Sequence, residues 1–314
     1  MTCNIEVFKT PFTEFHTLVW GDTGPKVLLL HGFPETPHIY EGLGELLSKQ
    51  GFQVFAPFLP GYGPTSAIHE DTTITHLDDL AKSIAALSDA ISEGHHISGK
   101  GKNQKEKITL VGHDWGAIAA YATAAYYPQG FSSMVTMSVP PPSVFLKGLL
   151  RHPIQLKRSS YILMFQLRAN LPEFAICKND YQLLKKLCLK WSGAAIESQS
   201  YFSTTAAPFD EIGNFTLPLG YYRGLFPLLS GSLSKWKRSY ELAFTKLSLP
   251  SHIMVGELDG CIPKELYTRY QDAFTLPAEF SVIEKAGHFL PIDAPEKVAE
   301  IIARQAQTQR IRSE

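Results

Sequence analysis

Apolar and polar positions alternate between two periods along this 314-residue chain. Short apolar runs at 15–20, 26–30, 52–56, 108–111, 133–137, 251–255 and 279–283 have strand length and are bounded by turn residues. Such runs predict strands, with the uninterrupted 26–30 stretch buried. Between them lie stretches with helical spacing. Leu77, Leu80, Ile84, Leu87 and Ile91 recur three and four apart, an amphipathic helix, and Thr75 with Asp78 three residues on offers it a capping box. Further helices are predicted around 40–48, over the small-residue run 117–126, after Pro263, and from Pro295, where Val298, Ile301 and Ile302 supply the apolar face. Strands that alternate with helices predict a mostly parallel α/β sheet. Pro140-Pro141-Pro142 breaks the rhythm, and the chain then runs helix-like and aromatic to about Lys237. The expected organisation is a core from 1–139 and 238–314, with a helical cap inserted at 140–237.

Composition narrows this picture. Hydrophobic residues make up 44% and charged residues 19%, enough to bury a sizeable core. A net charge of −1 gives no general electrostatic case for nucleic acid or an anionic membrane. No apolar run approaches ~20 residues, so no transmembrane helix is expected. The opening Met1-Thr2-Cys3-Asn4-Ile5-Glu6 has no basic stretch followed by an apolar one. A cytoplasmic protein is therefore expected, with Cys3, Cys177, Cys188 and Cys261 as free thiols. The lysines of 94–107 sit among Gly, Ser and Asn with no interleaved aromatics, which reads as a solvated loop.

The chemistry concentrates at Gly112-His113-Asp114-Trp115-Gly116. An apolar strand leads in and a small-residue helix leads out, the form of a sharp turn that lifts one side chain above a sheet. Here that side chain is a carboxylate. A carboxylate that attacked an acyl carbon would give a reactive anhydride. One that attacks a saturated carbon leaves an ordinary alkyl ester, which water can cleave. Such a nucleophile needs a base and an orienting acid. His288 follows the 279–283 strand and Asp259 follows the 251–255 strand, both at carboxyl ends, where open α/β sheets place their sites. Glu257 is the alternative acid. His31 and His113 read as structural, while Glu35 either orders water or is a partly exposed loop carboxylate.

His31-Gly32-Phe33-Pro34-Glu35, Gly61-Tyr62-Gly63, Gly112-His113-Asp114-Trp115-Gly116-Ala117 and Gly287-His288-Phe289 resemble the epoxide hydrolase and haloalkane dehalogenase branch of the α/β-hydrolase superfamily. Motif order and cap position agree too, so the resemblance covers nearly the whole chain. It implies an α/β-hydrolase fold, with a mostly parallel central sheet flanked by helices and an inserted helical cap. It implies an oxyanion hole from the backbone N–H groups of Phe33 and Trp115. It implies no cofactor or metal, and a small apolar electrophilic substrate plus water rather than nucleic acid. The oligomeric state stays open.

Two segments look like those that carry the epoxide-binding tyrosines of that family, 160–166 and 221–223, with Tyr161 and Tyr222 at the matching positions. Tyr221 is the adjacent alternative. The resemblance thus implies an epoxide hydrolase with Asp114, Asp259, His288, Tyr161 and Tyr222 as catalytic residues, and with Trp115, Tyr161 and Tyr222 lining the substrate site. The alternative is a haloalkane dehalogenase, in which Trp115 and Trp191 would offer indole N–H groups to a halide. A silent ligand-binding protein of the same fold is the third class. Haloacetate dehalogenases carry Arg where Trp115 stands, which argues against a small anionic substrate. The chain departs from the pattern at 214–220, and in placing Arg168 and Asn170 near Tyr161.

Overall fold

The computed structural model describes residues 3–69, 73–94, 106–192, 215–226 and 232–313. The strands are β1 (Asn4–Lys9), β2 (Glu14–Trp20), β3 (Lys26–Leu30), β4 (Gln53–Pro57), β5 (Ile108–His113), β6 (Phe131–Met137), β7 (Ser251–Gly256) and β8 (Glu279–Ile283). They form one sheet in the order β1-β2-β4-β3-β5-β6-β7-β8. β1, β2 and β4 pair antiparallel, and every pair from β4 through β3 to β8 is parallel.

Burial explains which strands the hydrophobic pattern revealed. β3, β4, β5 and β7 are buried at every position, so both faces read as apolar. β1 is an edge strand with only Phe8 buried, and Ile5 and Val7 face solvent. It was not predicted, because an edge strand needs little apolar surface to hold its ladder.

The core helices are α1 (Glu41–Lys49), α2 (Leu77–Gly94) and α3 (Trp115–Tyr126). α2 takes its first helical bond from Leu80 N–H to the His76 carbonyl. The Thr75 N–H instead donates to Gly220 O at 3.3 Å, so Thr75 ties the core to the insertion. Between β6 and β7 the described elements are all helical: α4 (Pro142–Leu149), α5 (Ile154–Arg158), α6 (Tyr161–Phe165), α7 (Leu171–Trp191), α8 (Thr216–Arg223) and α9 (Leu233–Phe244). α7 is kinked where Asn179, Asp180 and Tyr181 take left-handed backbone angles. The expected boundary at 237 falls inside α9, which rests on α2, α3 and α4.

Two 3₁₀ turns, Lys264–Tyr267 and Tyr270–Ala273, stand where one helix after Pro263 was expected. Arg269 separates them with φ −124° and ψ 33°, which no α-helix accommodates. The chain closes with α10 (Leu290–Asp293) and α11 (Pro295–Ser313). Among the described residues no helix is long and apolar enough to cross a membrane, and all four cysteines are free thiols. The 95–105 part of the lysine-bearing loop lies outside the described residues, as does 193–214.

Candidate active site

Asp114 stands alone between the end of β5 and the start of α3, with φ 50° and ψ −119°. Such angles are costly for a residue with a Cβ and persist only where the surroundings over-determine them. Here the Asp114 N–H donates to Met137 O at 3.2 Å and its carbonyl accepts from Ala117 N–H at 2.9 Å. Gly116 lets α3 come down onto β3: a Cβ there would lie 1.9 Å from Leu30 O.

The lifted carboxylate is held asymmetrically. Its Oδ1 accepts the Phe33 N–H at 2.8 Å. Its Oδ2 lies 3.5 Å from His288 Nε2, too long for a good hydrogen bond but close enough for charges to interact. A tenth of the Asp114 side chain remains accessible, whereas His288 and Asp259 are sealed. Burial pushes the Asp114 pKa up. The His288 and His113 imidazoles and the Phe33 N–H more than offset that, so it ends below the ordinary carboxylate value.

His288 Nδ1 donates to Asp259 Oδ2 at 2.9 Å. The other Asp259 oxygen, Oδ1, accepts the backbone N–H groups of Cys261 (2.7 Å) and Ile262 (2.8 Å). Burial pulls the His288 pKa down, but Asp259 and Asp114 on its two sides raise it well above 6.5. Glu257, the alternative acid, is exposed and accepts the Lys285 N–H instead.

Beneath this row lies a second ion pair. Glu35 is fully buried rather than a partly exposed loop carboxylate, and its Oε2 accepts from His113 Nδ1 at 2.9 Å and from the Gly32 N–H at 3.2 Å. His113 Nε2 faces the His288 carbonyl at 2.8 Å. Both His113 nitrogens thus face acceptors, the arrangement of an imidazolium. Burial lowers the His113 pKa, but Glu35 outweighs it and the pKa ends raised. His31 is the opposite case. Its Nδ1 faces Gly32 O, its Nε2 accepts the Leu59 N–H, and burial takes its pKa to about 3, so it stays neutral.

Glu35→Ala is expected to leave a charge buried without its partner, at a cost of about 3–5 kcal/mol. Urea unfolding measures it. The pH sign follows from the raised His113 pKa. Its contribution is fully present below the ordinary 6.5 and is lost as pH rises through the folded value. Wild-type stability should therefore fall across that window, and more steeply than in Glu35→Gln.

The insertion covers the site with aromatic rings. Tyr222 packs edge-on against Trp115 at 5.0 Å, Phe165 at 5.0 Å and Phe33 at 5.4 Å, and lies 6.2 Å from Tyr161. Burial pushes both phenols well above 10.0, so both hydroxyls keep their protons. Tyr221 also packs edge-on against Trp115 at 5.5 Å, but its hydroxyl donates to Pro60 O at 2.8 Å. The Trp191 ring lies between Tyr161 (5.1 Å) and His288 (5.6 Å), and its carbonyl accepts the N–H groups of both His288 (3.0 Å) and Gly260 (3.2 Å). A Cβ on Gly287 would lie 2.2 Å from Ser192 O, so the end of α7 clasps the loops of the acid and the base. Arg168 is exposed, and Asn170 is the left-handed residue that starts α7.

Three participants were not anticipated. The Cys261 thiol meets the Tyr161 hydroxyl at 3.8 Å, and Gln155 donates to Cys261 O at 2.9 Å. Ser138, with φ 64°, donates to the His288 carbonyl at 2.5 Å. Ser138 follows the carboxyl end of β6, the one signal that could have flagged it.

The sequence profile described as the alpha/beta hydrolase family matches residues 27–301. Human epoxide hydrolase 4 is 29% identical over 308 residues, covering 96% of this chain and 77% of the human one. Mouse epoxide hydrolase 3 is 30% identical over 282 residues, covering 88% and 68%. Among solved structures, an epoxide hydrolase from Vigna radiata superposes with a TM-score of 0.73 at 23% identity, over 98% of each chain. A laboratory-evolved variant of a potato epoxide hydrolase gives 0.70 at 21% identity, over 98% of this chain and 100% of that one. At these identities the structures speak for the fold.

Proposed function

Because this chain belongs to the alpha/beta hydrolase family, in its epoxide hydrolase branch, and is a hydrolase, we propose that it opens epoxides through an alkyl ester on Asp114. One observation carries the reading: the Asp114 carboxylate lies 3.5 Å from His288, which is itself paired with Asp259, and two buried, protonated phenols of the insertion, Tyr161 and Tyr222, are near enough to feel its charge. Residues 140–237 act as the cap that brings those phenols to the core.

In the first step the free Oδ2 of Asp114 attacks an epoxide carbon. The carbon–oxygen bond breaks, and its electron pair goes to the oxygen, which takes a proton from Tyr161 or Tyr222. In the second step His288 Nε2 takes a proton from water, and the hydroxide adds to the Asp114 carboxyl carbon. Oδ1, already on the Phe33 N–H, becomes the oxyanion, with the Trp115 N–H as second donor. Collapse expels the alkoxide, which takes the proton of the added hydroxyl, so a vicinal diol leaves, Asp114 is a carboxylate again and His288 is left as an imidazolium. Glu35 Oε1, buried and without a hydrogen-bond partner, would accept a hydrogen from that water.

The electrostatics also time the base. While Asp114 is anionic it helps hold His288 as an imidazolium, which cannot accept a proton. Esterification removes that charge, the imidazole pKa falls, and its proton passes to the phenolate left by ring opening, which frees the base for the step that needs it.

Tyr161→Phe with Tyr222→Phe is expected to slow epoxide opening by about 10²–10⁴-fold, the usual worth of a positioned acid. Stopped-flow alkylation kinetics measure it. Bromoalkane hydrolysis that exceeds epoxide hydrolysis and survives the double change would instead favour the dehalogenase reading.

A further inference from the structure

The chain holds no Asp or Glu from Trp115 through Pro172, yet Lys147, Arg151, Lys157, Arg158 and Arg168 all fall in that interval. With −1 overall and five positive charges here, the rest of the chain carries −6. The net charge therefore hides a strong local asymmetry. The same interval presents large aliphatic side chains to solvent: Leu146, Leu150, Ile154, Leu156, Leu163 and Leu167, with Leu150 88% and Leu163 63% exposed. Single exposed apolar residues are ordinary, but a run of them within α4 to α6 and the turn that follows is not.

The order along the chain is regular. Leu146-Lys147, Leu150-Arg151, Leu156-Lys157 and Leu167-Arg168 each set an exposed aliphatic group directly before a cation. Asp272 shares a groove with Lys147 and Arg151, but Arg269 neutralises it at 2.8 Å. Leucine next to a long basic side chain suits a lipid interface, where the aliphatic group enters the acyl boundary and the cation reaches up to the phosphates. We propose that the α4–α6 surface docks peripherally on an anionic phospholipid bilayer. The −6 remainder would be repelled, so the charge distribution also orients the molecule with this surface down. α6 carries Tyr161, so docking would set the site beside the phase in which apolar epoxides dissolve. That consequence rests on the epoxide reading, whereas the docking does not.

The test is co-sedimentation of the full chain with vesicles of phosphatidylcholine alone or with about a third phosphatidylserine. Binding to the anionic vesicles should be at least about tenfold tighter and should weaken as salt rises. Leu150→Asp with Ile154→Asp and Leu156→Asp should abolish binding while hydrolysis of a water-soluble epoxide stays unchanged. Lys147→Glu with Arg151→Glu and Lys157→Glu should remove the preference for anionic lipid. Circular dichroism confirms that each variant is folded. Failure to sediment with anionic vesicles, equal binding to both compositions, or retained binding by the folded aspartate variant overturns the proposal. So does a dimer that the aspartate variant dissociates. If the wild type turns over no epoxide, the functional reading fails, and the sedimentation result still decides the docking.

Discussion

Asp114→Ala is expected to lower epoxide turnover by about 10⁵-fold, the scale on which removing a nucleophile silences a triad. The steep effect reflects where the residue sits. Its backbone is the single turn between β5 and α3, and its side chain bridges the Phe33 N–H and His288. Alanine can keep the turn but leaves no oxygen to form the ester, and no neighbouring carboxylate can replace it. Asp259 is committed to His288 and two backbone N–H groups, and Glu35 to His113. Turnover assayed by diol formation measures the loss. Activity near wild type would end the covalent account. Stability should change far less, because the charge removed is the least buried of the three carboxylates, so folding and catalysis separate in this variant.

His288→Gln should uncouple the two steps. Asp114 is still presented and the two phenols still donate, so the epoxide can open. With no imidazole to activate water, the ester should persist. Intact-protein mass spectrometry after exposure to an epoxide should then show one adduct per chain, equal to the full mass of the epoxide. Peptide mapping should place it on Asp114. An adduct equal to the alkyl group of a bromoalkane, with none from epoxides, would point to carbon–halide cleavage instead. The expected loss in steady-state turnover is about 10⁴-fold or more. Glutamine retains a hydrogen-bonding group beside Asp259, which limits collapse of the buried site. The variant also removes one of the two imidazoles that lower the Asp114 pKa. The alkylation rate should therefore fall away at a higher pH than in the wild type as the medium is acidified.

Much of the scaffold was legible without coordinates. Strands 26–30 and 279–283 begin and end where the apolar runs do: the first is a buried parallel strand, which leaves an unbroken run, whereas the second is an edge strand that shows through Phe280, Val282 and Ile283. The elbow was legible because its glycines and carboxylate are contiguous. β1 was missed because its side chains face solvent. The single helix expected after Pro263 resolves into two 3₁₀ turns, whose short apolar spacing imitates one helical face.

The local order of residues thus determined the alternation of strands and helices, the carboxylate at the elbow, and the acid and imidazole at strand ends. All of these follow from near-neighbour periodicity. What needed the folded chain were choices between neighbours and the pairs made at long range. Asp259 rather than Glu257 meets His288 because only its side chain points inward, toward the Cys261 and Ile262 amides. Both Tyr221 and Tyr222 pack against Trp115, but Tyr222 is the one that meets Tyr161, while the Tyr221 hydroxyl is spent on Pro60. The Glu35–His113 ion pair spans 78 residues, and the Trp191 clasp joins the insertion to two core loops. Such contacts leave no periodic trace in the chain, because packing brings them together and sequence spacing does not.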